Sequence, residues 1–331
     1  LIATILAGSA CLGALNTWDG TTWSDGAPTT DDDIVIQGDL TWGSGMVHSV
    51  QSWTQSSGTV TFGTTFTGGG FDSFSIATDA TLTGGSWRHM DNTSSPTYRL
   101  NVDVGENFSL GASATITGKG LGFDSGHGPG GAVSGGYAEG GTHGGMGGGA
   151  TKLPYGSVTT PEDLGSGGAV GPGGGAVRLT VGGSSTIDGT IDMDAADNGN
   201  SGHGAGGSIY LETGTVNGSG TLTASCGRSG WGTRGRGAGG RVAVVLNGST
   251  ADFTNFSGAT IMAQTAFHTT NSRDRAGALG GAGTIYLQRG DGYNEVIVDA
   301  DANGTGFNGS WTSAGTTAYD YGTASNIVTR H

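Results

Sequence analysis

Carboxylates are the side chains whose types and spacing most readily suggest chemistry in this sequence of 331 residues. Three aspartates alternate along one strand-like segment and would share a face, and two more open a turn that resembles the start of a calcium-binding loop. The closing Glu of such a loop is missing, because its twelfth position is Ser310. We therefore favour solvated turns and strand faces, predict no resident cofactor, and keep calcium as the alternative. The candidate calcium ligands are Asp188, Asp192, Asp194, Asp299 and Asp301.

A second set of chemically active side chains lies within residues 87–99. It combines cations with groups that can act as a base, beside a tryptophan that could stack on a sugar ring. Such a set suits a polysaccharide lyase, which needs a base and a cation to stabilise the anion next to the substrate carboxylate. The simpler interpretation is scattered surface residues, so we predict a protein that is not an enzyme. The side chains concerned are Trp87, Arg88, His89, Tyr98 and Arg99.

Histidine and cysteine give little sign of a metal centre. None of the seven histidines stands at metal-ligand spacing from another His or Cys. The two cysteines, Cys11 and Cys226, are too few for a disulfide framework. They are a candidate disulfide pair, and two thiols are the alternative.

The charge balance excludes one class of function. Thirteen Lys and Arg face 27 Asp and Glu, for a formal net charge of −14. A nucleic-acid-binding protein needs a basic face to neutralise phosphates, and this composition does not provide one. We therefore predict no nucleic-acid partner.

An internal repeat predicts the elements that position these side chains. Four segments share a pair of small residues, usually glycines, followed by a strand whose first apolar residues are Val177, Ile209, Val242 and Ile285. Alternation along each strand directs Val177 and Leu179 inward and Arg178 outward, and it directs Tyr210 outward in the next unit. Units of this kind bury their apolar faces by stacking in register. The sequence therefore predicts an all-β fold, a parallel β-solenoid (β-helix) with glycine-rich loops.

The chain divides into three predicted regions. Residues 1–15 form an apolar segment, residues 16–110 an N-terminal β region with shorter strand spacing, and residues 111–331 the glycine-rich solenoid. Glycine supplies 71 residues, many in tracts too long for turns. These tracts are either flexible loops or packed extended layers, and the sequence leaves both open.

The apolar segment resembles the hydrophobic part of a signal peptide and is too short to span a bilayer as a helix. If it is ordered, its side chains must be buried. We expect a strand that adds to a neighbouring copy, with packing on its own subunit or a processing remnant as alternatives. The candidate assembly residues are Leu1, Ile2, Ile5, Leu6, Leu12 and Leu15.

Two motifs carry a family resemblance. Trp-Asp-Gly-Thr-Thr-Trp-Ser-Asp-Gly-Ala-Pro at 18–28 and Asp-Asp-Asp-Ile-Val-Ile at 31–36 resemble the opening of large bacterial surface proteins with β-solenoid passengers. Gly-Gly-Ser-Ile-Tyr-Leu at 206–211 resembles the glycine-rich repeats of secreted, adhesin-like proteins from environmental bacteria. The resemblance covers most of residues 18–310 and implies export, surface display and adhesion or scaffolding.

From the repeat and the resemblance together we predict a non-enzymatic structural protein, extracellular or on the cell surface, whose copies assemble into a filament or layer. Its partners would be other copies of itself and surface polysaccharide, with no membrane span. A carbohydrate-binding adhesin or phage-type tip protein is the first alternative, and a β-helix polysaccharide lyase is the second.

Overall fold

The computed structural model describes residues 13–66, 72–133, 139–197, 202–227, 235–265, 280–299 and 326–330. These residues are nearly all in strands, turns and extended segments, with one short 3-10 turn at Thr254–Phe256. The strands join in one large, mostly parallel sheet that does not close into a barrel. The predicted all-β class with a parallel sheet is therefore confirmed.

The described strands have two to twelve residues, and many of them alternate buried residues with less buried ones. The first ten are β1 (Leu15–Trp18), β2 (Asp33–Ile36), β3 (Leu40–Trp42), β4 (Ser49–Val50), β5 (Ser52–Gln55), β6 (Thr59–Phe62), β7 (Phe74–Ile76), β8 (Ala80–His89), β9 (Leu100–Val104) and β10 (Phe108–Thr117). The others are β11 (Ala176–Ile187), β12 (Thr190–Asp192), β13 (Ser208–Asn217), β14 (Thr221–Thr223), β15 (Arg241–Leu246), β16 (Thr260–Met262), β17 (Gly283–Gln288), β18 (Asn294–Asp299) and β19 (Asn326–Arg330).

Most pairings fall into three parallel ladders, and β18 then pairs antiparallel with β17 and parallel with β19. Ladder 1 runs β1, β2, β5, β8, β10, β11 and β13. Ladder 2 runs β3, β6, β8, β10, β12, β14 and β16. Ladder 3 runs β4, β7, β9, β11, β13, β15 and β17. The long strands β8, β10, β11 and β13 each belong to two ladders.

Ladder 3 contains the four repeats in register. Val177 pairs with Ile209, Ile209 with Val242, and Val242 with Ile285, and all four side chains are buried. Tyr210 points outward as expected, yet only 6% of it is exposed. It is covered because Val158, from the long insertion between β10 and β11, packs on this outer face.

Aromatic rings fill the core of the N-terminal half. The centroids of the Trp42 and Trp53 rings lie 5.3 Å apart, and those of Trp53 and Trp87 lie 5.7 Å apart, within the usual range for favourable ring pairs. Buried Gln55 accepts hydrogen bonds from the indole N–H groups of Trp87, at 2.9 Å, and Trp53, at 3.4 Å. Trp42, Trp53 and Trp87 are therefore core residues, and the partly buried Trp18 and Trp23 pack against this core.

The strands continue across the predicted boundary at residue 110. β10 spans it and pairs with β8 on one side and with β11 and β12 on the other. The division into 16–110 and 111–331 stays a prediction. Within the described ranges, no helix is long and apolar enough to cross a membrane.

The described glycine tracts are packed extended segments, which decides between the two alternatives left open above. Gly174 donates to the carbonyl of Ala205, Gly206 to that of Ala238, and Gly239 to that of Gly281, at 2.9 to 3.1 Å. Irregular segments of the insertion bond to them, and together these segments form the glycine layer. It comprises residues 140–145, 164–168, 173–175, 203–207, 236–240 and 280–283.

Candidate functional site

A short strap of the insertion, residues 155–163, crosses the outer face of ladder 3 and gathers many of the chemically active side chains. The carbonyl of Tyr155 accepts a hydrogen bond from Arg241 Nε at 2.9 Å. The carbonyl of Asp163 accepts one from Ser208 Oγ at 2.6 Å. Between these two anchors Val158 packs on the apolar outer surface of ladder 3. The strap is thereby fixed along its length.

Glu162 is the ionic centre of the strap. One carboxylate oxygen accepts from Arg178 Nη1 at 2.7 Å, and the other accepts from Arg99 Nη1. The guanidinium of Arg99 also lies 4.8 Å from the ring centroid of Phe66. Glu162 is not among the residues predicted from the sequence, although Glu162–Asp163 is a lone acidic pair in a glycine-rich insertion and Arg99 and Arg178 are cations that needed a partner.

His143 lies inside the glycine layer and is fully buried. Its Nδ1 donates to the carbonyl of Gly206 at 2.7 Å, and its ring centroid is 4.7 Å from that of Tyr155. Burial, reinforced by the charge of Arg241, lowers the pKa of His143 to about 3, so the imidazole is neutral. The Tyr155 hydroxyl donates to the carbonyl of Leu164 at 2.6 Å. These hydrogen bonds stabilise the layer.

The side chains proposed for a lyase are not brought together at the surface. Trp87 and His89 are both fully buried. His89 Nδ1 donates to the carbonyl of Met90 at 2.6 Å, and Nε2 accepts from the backbone N–H of Ala176 at 3.3 Å. Burial lowers the pKa of His89 to about 4. With Arg99 held by Glu162, Arg88 is the charged member of the set that faces a surface groove.

Of the aspartates suggested for calcium, Asp192 and Asp194 lie together, with the Asp192 carboxylate accepting the backbone N–H of Asp194 at 2.9 Å, whereas Asp188 lies in a separate turn. Asp188 is exposed in the turn after β11 and accepts from Ser219 N at 3.1 Å. Asp192 ends β12, whereas Asp194 turns inward and accepts from Thr223 Oγ1 and Ser225 N, both at 2.6 Å.

The two remaining calcium candidates lie at the end of β18 and beyond. Asp299 is the last residue of that strand, and only its backbone is described. Asp301 lies outside the described residues. Among the residues that are described, no group of three or more His, Cys, Asp or Glu side chains could hold a metal ion.

The apolar segment is described only where it enters the fold. Leu15 begins β1 and is 65% exposed. Cys226 is buried, and Cys11 lies outside the described residues, so the disulfide stays a prediction. The other assembly candidates also lie outside the described residues, namely Leu1, Ile2, Ile5, Leu6 and Leu12.

Comparison of the chain with protein-family models, with curated proteins and with solved structures gives no match. Function must therefore be argued from the geometry of this fold.

Proposed function

We propose that this chain is a non-catalytic extracellular structural protein, folded as a parallel β-solenoid, whose copies associate into a filament or layer. The solenoid is supported by the three ladders, because successive turns of the chain add one rung to each. Stacked turns of this kind form extended, quasi-one-dimensional scaffolds. The extracellular location rests on the sequence resemblance.

The use of the reactive side chains supports a structural role. His89 and His143 are buried and neutral, and each forms a backbone hydrogen bond that joins distant parts of the chain or holds the glycine layer. Arg99 and Arg178 are paired with Glu162. Catalysis needs such groups within reach of a substrate. In this protein the two histidines and the two arginines stabilise the scaffold.

The observation that carries the assembly proposal is the edge at β1. Within the described residues β2 is the one strand that pairs with β1. At its other edge Ser24 bonds both backbone groups of Thr17, at 2.9 Å each, so the part of the edge without a described partner is at Leu15. Leu15 on this strand is a large apolar side chain that is 65% exposed. An open strand edge with an apolar side chain is a template for pairing with another strand. A second copy of the chain, presenting the other end of its ladders, is the proposed occupant.

The test is a substitution that introduces a charge at the edge of β1. Leu15→Lys places a cation on the edge strand and should reduce the protein to monomers, because edge charges oppose strand addition. Leu153→Lys is the matched control, since Leu153 is 76% exposed in the insertion and lies away from β1. Size-exclusion chromatography with light scattering over a concentration series, followed by negative-stain electron microscopy, gives the oligomeric state.

Multimers in the native protein and in Leu153→Lys, with monomers in Leu15→Lys, would support assembly through β1. A native protein that stays monomeric at every concentration would refute it. Assemblies that survive Leu15→Lys would place the interface elsewhere and would also refute this edge as the contact.

A further inference from the structure

A shallow groove lies on the outer face of ladder 2, near its N-terminal end. Its volume is about 460 Å³, within the range of small-molecule sites. Strand pairing sets Thr41 opposite Thr61, and Thr61 opposite Arg88. These three outward side chains therefore form one row at the strand spacing of about 4.8 Å. The groove is lined by Asp39, Leu40, Thr41, Thr59, Thr61 and Arg88.

Arg88 differs from most other described cations of this acidic chain. Arg99, Arg178, Lys119 and Arg289 each pair with a carboxylate. In the described part of the protein Arg88 has no such pair, and its Nε is buried without a hydrogen-bond partner. A ligand in the groove cannot reach this buried Nε, so the terminal Nη groups of Arg88 are the donors that remain for one.

The two acidic residues nearby do not neutralise this arginine by contact. Asp39 accepts the backbone N–H of Thr59 with Oδ1 at 2.7 Å and forms no ion pair with Arg88. Asp91 interacts with Arg88 electrostatically, yet burial outweighs that interaction and raises the pKa of the Asp91 carboxyl. The guanidinium keeps donors for a ligand.

The threonines add hydroxyl groups beside the guanidinium. The Thr59 hydroxyl accepts from Ser86 Oγ at 3.0 Å. The hydroxyls of Thr41 and Thr61 form no hydrogen bond with any described residue, and each can both donate and accept. The groove thus presents a planar fork of donors next to two free hydroxyls.

We infer that this groove binds an acidic sugar, with the sugar carboxylate on the guanidinium of Arg88 and ring hydroxyls on Thr41 and Thr61. Arginine binds carboxylates through two parallel hydrogen bonds, and hydroxyls pair with hydroxyls in either direction. This goes beyond the proposed scaffold function, because it gives one face of the scaffold a ligand of defined chemistry. The ligand class is a uronate unit of a surface polysaccharide.

The test uses tetragalacturonate as the probe and its fully methyl-esterified form as the uncharged control. Isothermal titration calorimetry at low salt should detect the acid and not the ester. Arg88→Gln should weaken binding by about tenfold or more, the usual cost of removing a charged hydrogen-bond partner. Arg88→Lys should weaken it less, because the charge remains while the fork is lost. Lys119→Gln is the matched control, as Lys119 already pairs with Asp197 and should not affect affinity.

Three results would overturn the inference. They are no binding of the acid at about 1 mM, equal binding of acid and ester, and unchanged affinity in Arg88→Gln. Tighter binding of a sulfated tetrasaccharide, or equal competition by inorganic phosphate, would overturn the uronate assignment.

If circular dichroism shows that Arg88→Gln does not fold, the near-isosteric double variant Thr41→Val/Thr61→Val replaces it, and we expect this variant to bind the acid more weakly. Leu15→Lys should bind the sugar normally, so failure of the assembly proposal and failure of this one are distinguishable.

Discussion

At the scale of single residues, burial sets the protonation of three groups in opposite ways. Burial lowers the pKa of His89 to about 4 and that of His143 to about 3. Both are neutral when folded, so their contribution to stability is present above their ordinary pKa of 6.5 and is lost as the pH falls through the folded values. Burial, with the nearby charge of Asp192, raises the pKa of Asp194 from 3.8 to about 6. Its contribution is present below 3.8 and is lost as the pH rises through 6.

Asp194→Asn isolates the aspartate from the histidines. The amide oxygen can still accept from Thr223 and Ser225, while the buried charge is removed. At pH 7 the variant should therefore be more stable than the native protein, by up to roughly 3 kcal/mol for a shift of this size. The gain should shrink as the pH falls from 6 to 4. Urea unfolding at several pH values measures the difference in unfolding free energy between the two proteins. The histidines contribute equally to both proteins and do not affect this difference.

Asp188→Asn is the control for this prediction, because Asp188 is exposed. Its effect should stay within about 0.5 kcal/mol at every pH. A loss of stability in Asp194→Asn at pH 7, or a gain that does not change with pH, would contradict the assignment of a costly buried charge. A native protein stabilised by added calcium, with the effect lost in Asp194→Asn, would instead favour the cation hypothesis.

At the scale of elements, the segments that follow β12, β14 and β16 are each joined to the start of a ladder 3 strand in the next turn. The carbonyls of Met193, Ala224 and Ala263 accept the backbone N–H of Gly207, Gly240 and Gly283, at 2.7 to 2.9 Å. A second glycine approaches each of these carbonyls so closely that a Cβ would overlap the oxygen: Gly174 at Met193, Gly206 at Ala224 and Gly239 at Ala263. Glycine is required here by close approach of two backbones, in three successive turns.

Gly206→Ala tests this joint. The added Cβ would overlap the carbonyl oxygen of Ala224, which is backbone and cannot rotate away. We expect a loss of about 3 kcal/mol or more in the free energy of unfolding, as for overpacking that must shift the chain. Gly43→Ala is the control, since its Cβ would meet nothing within 4 Å, and it should change stability by less than about 1 kcal/mol. A similar, small effect of both substitutions on thermal unfolding would refute the joint.

At the scale of elements, the repeat could be predicted from the sequence and the position of the strap could not. The register of Val177, Ile209 and Val242 could be predicted because strand alternation and glycine turns are local features of the sequence. Glu162 binds Arg99 and Arg178 from a different part of the chain, and no spacing rule links residues brought together by an irregular insertion. For the same reason the sequence placed Tyr210 outward correctly but could not show that it is covered.

At the scale of the whole molecule, contacts across residue 110 decide whether the protein unfolds in one step. Stacked-repeat proteins lose cooperativity where the interface between neighbouring turns is weak. Here β10 is shared by both sides of the boundary, and His89 of β8 accepts from Ala176 of β11. Glu162 also joins Arg99, before the boundary, to Arg178, after it.

These links predict a single cooperative transition in place of separate unfolding of 16–110 and 111–331. In urea, the fluorescence of the buried tryptophans of the N-terminal core should change together with far-ultraviolet circular dichroism. Hydrogen exchange should give similar opening free energies for β5 and β8 on one side and β13 and β15 on the other, because a shared opening exposes all four. A fluorescence transition at lower urea than the loss of strand signal, with β13 and β15 still protected, would show instead that the two predicted regions are independent folding units. That outcome would mean that the interface at β10 is weaker than its hydrogen bonds suggest, and the aromatic core would then be a separate domain carried by the glycine-rich scaffold.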